Sequence, residues 1–247
     1  MSGDRIDLQT SDGAMDVHVF TPSSGDGPWP AVIVYMDAFG IRPELKGMAQ
    51  RLASSGYVVA LPNLYYRTPY APFAPTVVAT EGAERERFKS MIASINHEMV
   101  MRDTRLVIEW LDRQSSVRRG GLAALGYCMG GGYALSAAGT FPERVVAAAS
   151  FHGGSLATDK PDSPHRLAGN VRGRVYVGAA EIDASFPPEQ QERLEQALTD
   201  AGVPHTLEIY PNAKHGFAVT GHIVYDHASA ELHWRRLLDL LHEALAV

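Results

Sequence analysis

Short continuous apolar runs recur along the chain, at Ala31-Val32-Ile33-Val34-Tyr35, Tyr57-Val58-Val59-Ala60-Leu61, Gly121-Leu122-Ala123-Ala124-Leu125 and Val145-Val146-Ala147-Ala148-Ala149. Runs of this length without alternation are the pattern of strands covered on both faces, as in parallel sheets. Arg174-Val175-Tyr176-Val177 and Thr206-Leu207-Glu208-Ile209-Tyr210 predict two further strands. Between them the period lengthens. Leu45, Met48, Ala49 and Leu52 predict a helix over 43–54, with Pro43 suited to its first turn and Gly56 ending it. Ile92, Ile95, Met99, Leu106 and Trp110 form one stripe between Glu81 and Asp112, a long helix or a broken pair. Further helices are expected over 188–201 and 226–245. The first segment, from Asp7 to Phe20, instead alternates around the turn signal Ser11-Asp12-Gly13 and predicts an antiparallel hairpin at a sheet edge. Repeated strand and helix units imply right-handed crossovers, so the expected fold class is α/β, a mostly parallel sheet with helices on both faces. One domain over residues 1–247 is expected, with no repeat, linker or low-complexity tract.

One stretch departs from simple patterning. After the run ending at Leu125 comes Gly126-Tyr127-Cys128-Met129-Gly130-Gly131-Gly132, followed by the small-residue helix Tyr133–Ala138. A strand turning this sharply into a helix needs glycines around the turn, because there is no room for Cβ atoms. Cys128 stands at its apex and is the only cysteine of the chain.

Composition narrows the classes. Hydrophobic residues make up 45% and charged ones 20% of the 247 residues, as in ordinary globular enzymes. The net charge of -6, with no cluster of Lys and Arg longer than a pair such as Arg118-Arg119, argues against a nucleic-acid partner. The opening Met1-Ser2-Gly3-Asp4-Arg5 gathers no apolar core and no run reaches spanning length, so neither a secretory signal nor a membrane partner is expected. A single cysteine suits the cytoplasm. Neither a P-loop, a G-x-G-x-x-G turn nor a His-Glu-x-x-His pair is present, and no metal or other cofactor is expected.

If Cys128 is a nucleophile, it needs a base, an acid orienting that base and donors for an oxyanion, all beyond the carboxyl ends of strands. His215, in Lys214-His215-Gly216-Phe217, follows the strand ending near Tyr210, and Asp183 follows the one ending near Gly178. Glu181 competes as orienter, although Ala184-Ser185-Phe186-Pro187 would redirect the chain after Asp183. The order nucleophile, acid, histidine is that of α/β-hydrolases. The amide of Met129, first in its helix, is one oxyanion donor, and Ala38, after the Val32–Tyr35 strand, is the second. Read singly, each residue has a plainer alternative: a buried inert thiol, a surface-loop histidine, a solvated acid. His152, beside Gly153-Gly154, is either a rim residue or a structural turn residue.

The elements Gly126-Tyr127-Cys128-Met129-Gly130-Gly131, Asp37-Ala38-Phe39-Gly40, Leu61-Pro62-Asn63-Leu64-Tyr65-Tyr66-Arg67, Asp183 and His215-Gly216-Phe217 together resemble the dienelactone hydrolase family, from about Val32 to the C-terminal helix. The resemblance implies an α/β-hydrolase fold and a triad of Cys128, His215 and Asp183. It also implies an acid contacting the thiol and activating it, here Asp37 where the best-known member has glutamate. Family members hold a substrate carboxylate with arginines. The position four residues after the histidine is Val219 here, and Arg85 or Arg87 are the remaining candidates, beside aromatic walls from Phe39, Tyr65, Tyr66, Tyr70 or Phe73.

The expected function is hydrolysis of a small-molecule ester or lactone through Cys128. Alternatives are a thioesterase or acyltransferase on the same triad, or a catalytically silent hydrolase-fold binding protein. A monomer or small homo-oligomer is expected.

Overall fold

A computed structural model describes residues 3–78 and 82–245; the expected helix start at Glu81 lies outside them. The hairpin forms as β1 (Asp4–Thr10) and β2 (Gly13–Phe20), followed by β3 (Ala31–Tyr35), α1 (Pro43–Ser54), β4 (Val58–Pro62) and the single turn α2 (Pro75–Val78). The long stripe breaks into α3 (Ala83–Ala93) and α4 (His97–Asp112). Asn96 causes the restart, its side chain accepting the Met99 N–H at 2.9 Å as an N-cap. Then come β5 (Leu122–Tyr127), α5 (Met129–Thr140), β6 (Val145–Phe151), β7 (Arg174–Ile182), α6 (Pro188–Asp200), β8 (His205–Lys214) and α7 (His227–Leu245). Between β6 and β7 lies a short 3₁₀ helix, Pro164–Asn170.

The strands join one sheet in the order β1-β2-β4-β3-β5-β6-β7-β8. All pairings from β4 to β8 are parallel, and the hairpin adds antiparallel at one edge. Strands β3, β4 and β5 are buried along their whole length, which is why their sequences do not alternate. The chain runs outward from β3 to β4, then returns to place β5 on the other side of β3. That reversal sets the loops after β3 and β5 side by side at the carboxyl edge, where open α/β sheets hold their ligands. Among the described residues no helix is long and apolar enough to cross a membrane.

Candidate active site

Strand β5 delivers Cys128 into a backbone conformation that side chains rarely adopt, φ 55° and ψ −121°. Close packing imposes it. A Cβ at Gly126 would lie 1.9 Å from the carbonyl oxygen of Gly130, and one at Gly130 would lie 2.3 Å from that of Tyr35. The first turn of α5 therefore sits directly on β5 and β3. Cys128 is half-buried at the head of this helix, with the positive end of the helix dipole behind it. Met129 is the first helical residue, so its N–H belongs to the four amides that a helix leaves without an internal acceptor.

Strands β7 and β8 run further than their apolar cores suggest, to Ile182 and Lys214, so Asp183 and His215 each directly follow a strand. His215 Nδ1 meets Asp183 Oδ2 at 2.7 Å. Burial works against a charge on His215, but Cys128 and the Asp183 carboxylate outweigh it and push the imidazole up to about 11. Asp183 stays below the usual carboxylate range despite burial, because His215 and Ser185 bond to its charged form. Ser185 is a member that the sequence reading missed. Its hydroxyl donates to Asp183 Oδ1 at 2.6 Å, its N–H does so at 2.9 Å, and the hydroxyl lies 3.1 Å from His215 Nδ1. Its one sequence signal was the turn after Asp183. Glu181 is the wrong acid: it is exposed at the end of β7, where it accepts the Asn212 N–H at 2.6 Å.

Ala38 follows β3 and is fixed from both sides. Tyr65 donates its hydroxyl to the Ala38 carbonyl at 3.0 Å, and Asp37 Oδ1 accepts the Phe39 N–H at 3.0 Å. Asp37 itself departs from expectation. Its carboxylate is fully buried and clasped by Arg42 at 2.6 and 2.7 Å, with His222 Nε2 at 3.5 Å, so it is a neutralised structural anion rather than an acid free for the thiol. Burial opposes its charge, yet His222 and Arg42 hold it below the ordinary value.

Cys128, Met129, Ala38, Asp183, Ser185 and His215 open onto one cleft of about 950 Å³, whose far walls include Ile92, Ile95, His97, Tyr133 and Pro164. The expected substrate residues do not line it. Val219 is wholly buried in the core. Arg85 is exposed on α3, and Arg87 pairs with Glu84 at 2.9 Å with its guanidinium 3.9 Å from the Phe73 ring centre. Phe39 packs on Phe88 and His222, Tyr70 meets Tyr65 edge-on and stacks on Phe73, and Tyr65 and Phe73 are buried. Tyr66 donates to Asp103. Phe39, Tyr65, Tyr70 and Phe73 pack with Phe88 beside the Ala38 turn, and none of the expected aromatics lines the cleft. The cations that do line the cleft are Lys89 and Lys160, with Asp162 between the walls. His152, at φ 39°, is 1% exposed behind His215 with ring centroids 5.4 Å apart, so it is no rim residue. No metal-holding group of three His, Cys, Asp or Glu occurs among the described residues.

A strained turn between a central strand and a helix, an acid and a histidine after the last two strands, and one shared cleft define an α/β-hydrolase. The sequence matches the profile of the Dienelactone hydrolase family over residues 15–245. This chain belongs to that family. A candidate carboxymethylenebutenolidase of Escherichia coli K12 is 30% identical over 227 residues, covering 88% of this chain and 78% of the relative. The carboxymethylenebutenolidase of Rhodococcus opacus is 26% identical over 246 residues, covering 98% and 92%. A crystal structure of a candidate dienelactone hydrolase from Klebsiella pneumoniae superposes with a TM-score of 0.84 at 25% identity, covering 96% of this chain and 97% of that one.

Proposed function

We propose that this hydrolase cleaves a small ester or lactone by covalent catalysis at Cys128. The Cys128 sulfur attacks the carbonyl carbon, and the C=O electron pair moves to an oxyanion held by the N–H groups of Met129 and Ala38. Collapse breaks the carbon–oxygen bond, and His215 gives its proton to the departing alkoxide. Water then attacks the thioester with His215 taking its proton, the carbon–sulfur bond breaks to expel the Cys128 thiolate, and the carboxylic acid leaves, which restores the starting pair of thiolate and imidazolium. Asp183 and Ser185 orient the imidazole. The observation that carries this reading is the 2.7 Å bond from His215 to Asp183 in the same cleft as a cysteine on a strained turn. The carboxymethylenebutenolidase name of the relatives supports a lactone among the substrates. With Val219, Arg85 and Arg87 away from the cleft, a substrate carboxylate would meet Lys89 or Lys160 instead.

The test is a panel of aryl esters and lactones, each with and without a carboxylate, assayed with the wild type, Cys128→Ala and His215→Ala. The expected outcome is turnover by the wild type and loss of about a thousandfold or more in both variants. Equal inactivity of all three across the panel refutes the reading. Lys89→Glu and Lys160→Glu are expected to lower kcat/KM for carboxylated substrates about tenfold relative to their neutral counterparts, and an unchanged ratio removes the lysines from recognition.

A further inference from the structure

Arg42 occupies the N-cap of α1, a position that usually carries a short polar side chain, and it makes no cap. Its guanidinium turns back toward the site. The two terminal nitrogens bind both oxygens of Asp37, Nη1 also donates to the Gly40 carbonyl at 3.2 Å, and Nη2 lies 3.0 Å from His222 Nε2. Nε is 3.6 Å from Glu44, whose side chain is one-third exposed and shares its charge with solvent. The Arg42 side chain is only 7% exposed and that of Asp37 not at all, so little water is available to screen this pair.

The second contact reaches across the active site. His222 lies on the segment that follows His215 and packs back on it: a Cβ at Gly216 would come within 3.0 Å of His222 Nδ1. The Phe39 ring meets the His222 ring edge-on at 4.8 Å. One guanidinium thus ties the turn bearing Ala38 to the turn bearing His215. The charge of Asp37 is also felt where chemistry would occur, because Tyr65 senses both Asp37 and Cys128 and its hydroxyl binds the Ala38 carbonyl.

Building on the covalent mechanism above, we propose that Arg42 is a positioning residue with an electrostatic task. It cancels a buried carboxylate one residue before an oxyanion donor and holds the Ala38 and His215 turns in register. Without it, Asp37 opposes every negative charge that develops at the site, on the Cys128 sulfur and on the carbonyl oxygen alike. The groups facing Asp37 are Arg42 and His222 directly, with Tyr65 and Tyr70 in its field and Glu44 reaching it only through Arg42. A lone buried acid takes up a proton at low pH, so the loss should deepen as pH rises.

The test is a charge cycle of wild type, Arg42→Lys, Arg42→Met and Asp37→Asn/Arg42→Met, with folding checked by thermal melting. On a neutral aryl ester at about pH 8, Arg42→Met is expected to lose roughly ten- to a hundredfold in kcat with KM nearly unchanged, and to lose less at about pH 6. Arg42→Lys should keep most of the rate. The double variant should recover most of the loss although the tie is broken, which a purely structural role would not produce. A double variant as slow as Arg42→Met, or a fully active Arg42→Met, overturns the proposal. If Arg42→Met does not fold, the neutral pair decides: it supports the proposal when folded and active, and refutes it when folded and as slow as Cys128→Ala. Alkylation of Cys128 by iodoacetamide reads the same order without turnover, and the chain has no other thiol. A wild type that hydrolyses nothing would therefore defeat the function while alkylation still decides the role of Arg42.

Discussion

At the scale of single residues, the proposed mechanism assigns chemistry to some side chains of the site and positioning to others. Asp183 binds His215 directly, and Ser185 binds both. Asp183→Asn would reverse the hydrogen-bond preference of the imidazole, and kcat on an aryl ester should fall about a thousandfold or more, as in other triads. Ser185→Ala leaves the 2.7 Å contact in place, so a loss of only about tenfold is expected in the same assay. That Cys128, Asp183 and His215 meet in one cleft was legible because each follows a strand core in a diagnostic order. Arg42 was not, since a charged residue ahead of a proline at a helix start gives no sign that its side chain folds back to an acid five residues earlier. The role expected for Asp37 failed for the same reason: sequence shows the acid but hides its partner. Val219 was placed at the site by the family resemblance, as the counterpart of a substrate-binding arginine, whereas here it is buried in the core.

At the scale of elements, the meeting of β5 and α5 carries the most constraint. Gly126→Ala and Gly130→Ala would each drive a methyl group against backbone, which cannot rotate away as a side chain would. Each is expected to cost about 3 kcal/mol or more. In a protein of this size that lowers the melting temperature by roughly 6–12 °C, and calorimetry on the purified variants checks it. The glycine cluster announced this contact in the sequence. The ends of β7 and β8 were hidden, because Glu181, Pro211 and Asn212 break the apolar pattern while the strands continue through an irregular register between Ala180 and Ile182. The short helix at Pro164–Asn170 was hidden by polarity, with only Pro164 and Ala168 buried.

For the whole molecule, buried histidines and carboxylates set opposing demands on pH. His233 is buried between Tyr127 and the Ala230 carbonyl, and burial lowers it to about 3; His152 is pushed down likewise by burial and by the neighbouring His215. Both are neutral when folded and take a proton when unfolded, so their contribution is present above 6.5 and lost as pH falls below it. His215 is raised, so its contribution is complete below 6.5 and lost as pH rises toward about 11. Asp37 and Asp183, both lowered, contribute above 3.8 and lose that support as pH falls through their folded values. Thermal stability should therefore peak near neutrality and decline on both sides, and His215→Ala should flatten the alkaline limb. Melting curves from about pH 4 to 10 check both statements. The sheet itself was the most legible part, since continuous apolar strands and helical stripes alternate with few exceptions. What could not be read was which surfaces face the cleft, because that depends on where α3, α4 and the Pro164–Asn170 segment come to rest.

Cys128 sits alone at its turn, and the chain holds no second sulfhydryl to condense with it. Peroxide would convert it to a sulfenic acid that no internal partner can resolve into a disulfide, leaving only overoxidation or rescue by an outside reductant. The protein should thus fail abruptly under oxidant, recovering with dithiothreitol only after brief exposure, and mass spectrometry of the Cys128 peptide would follow each rung.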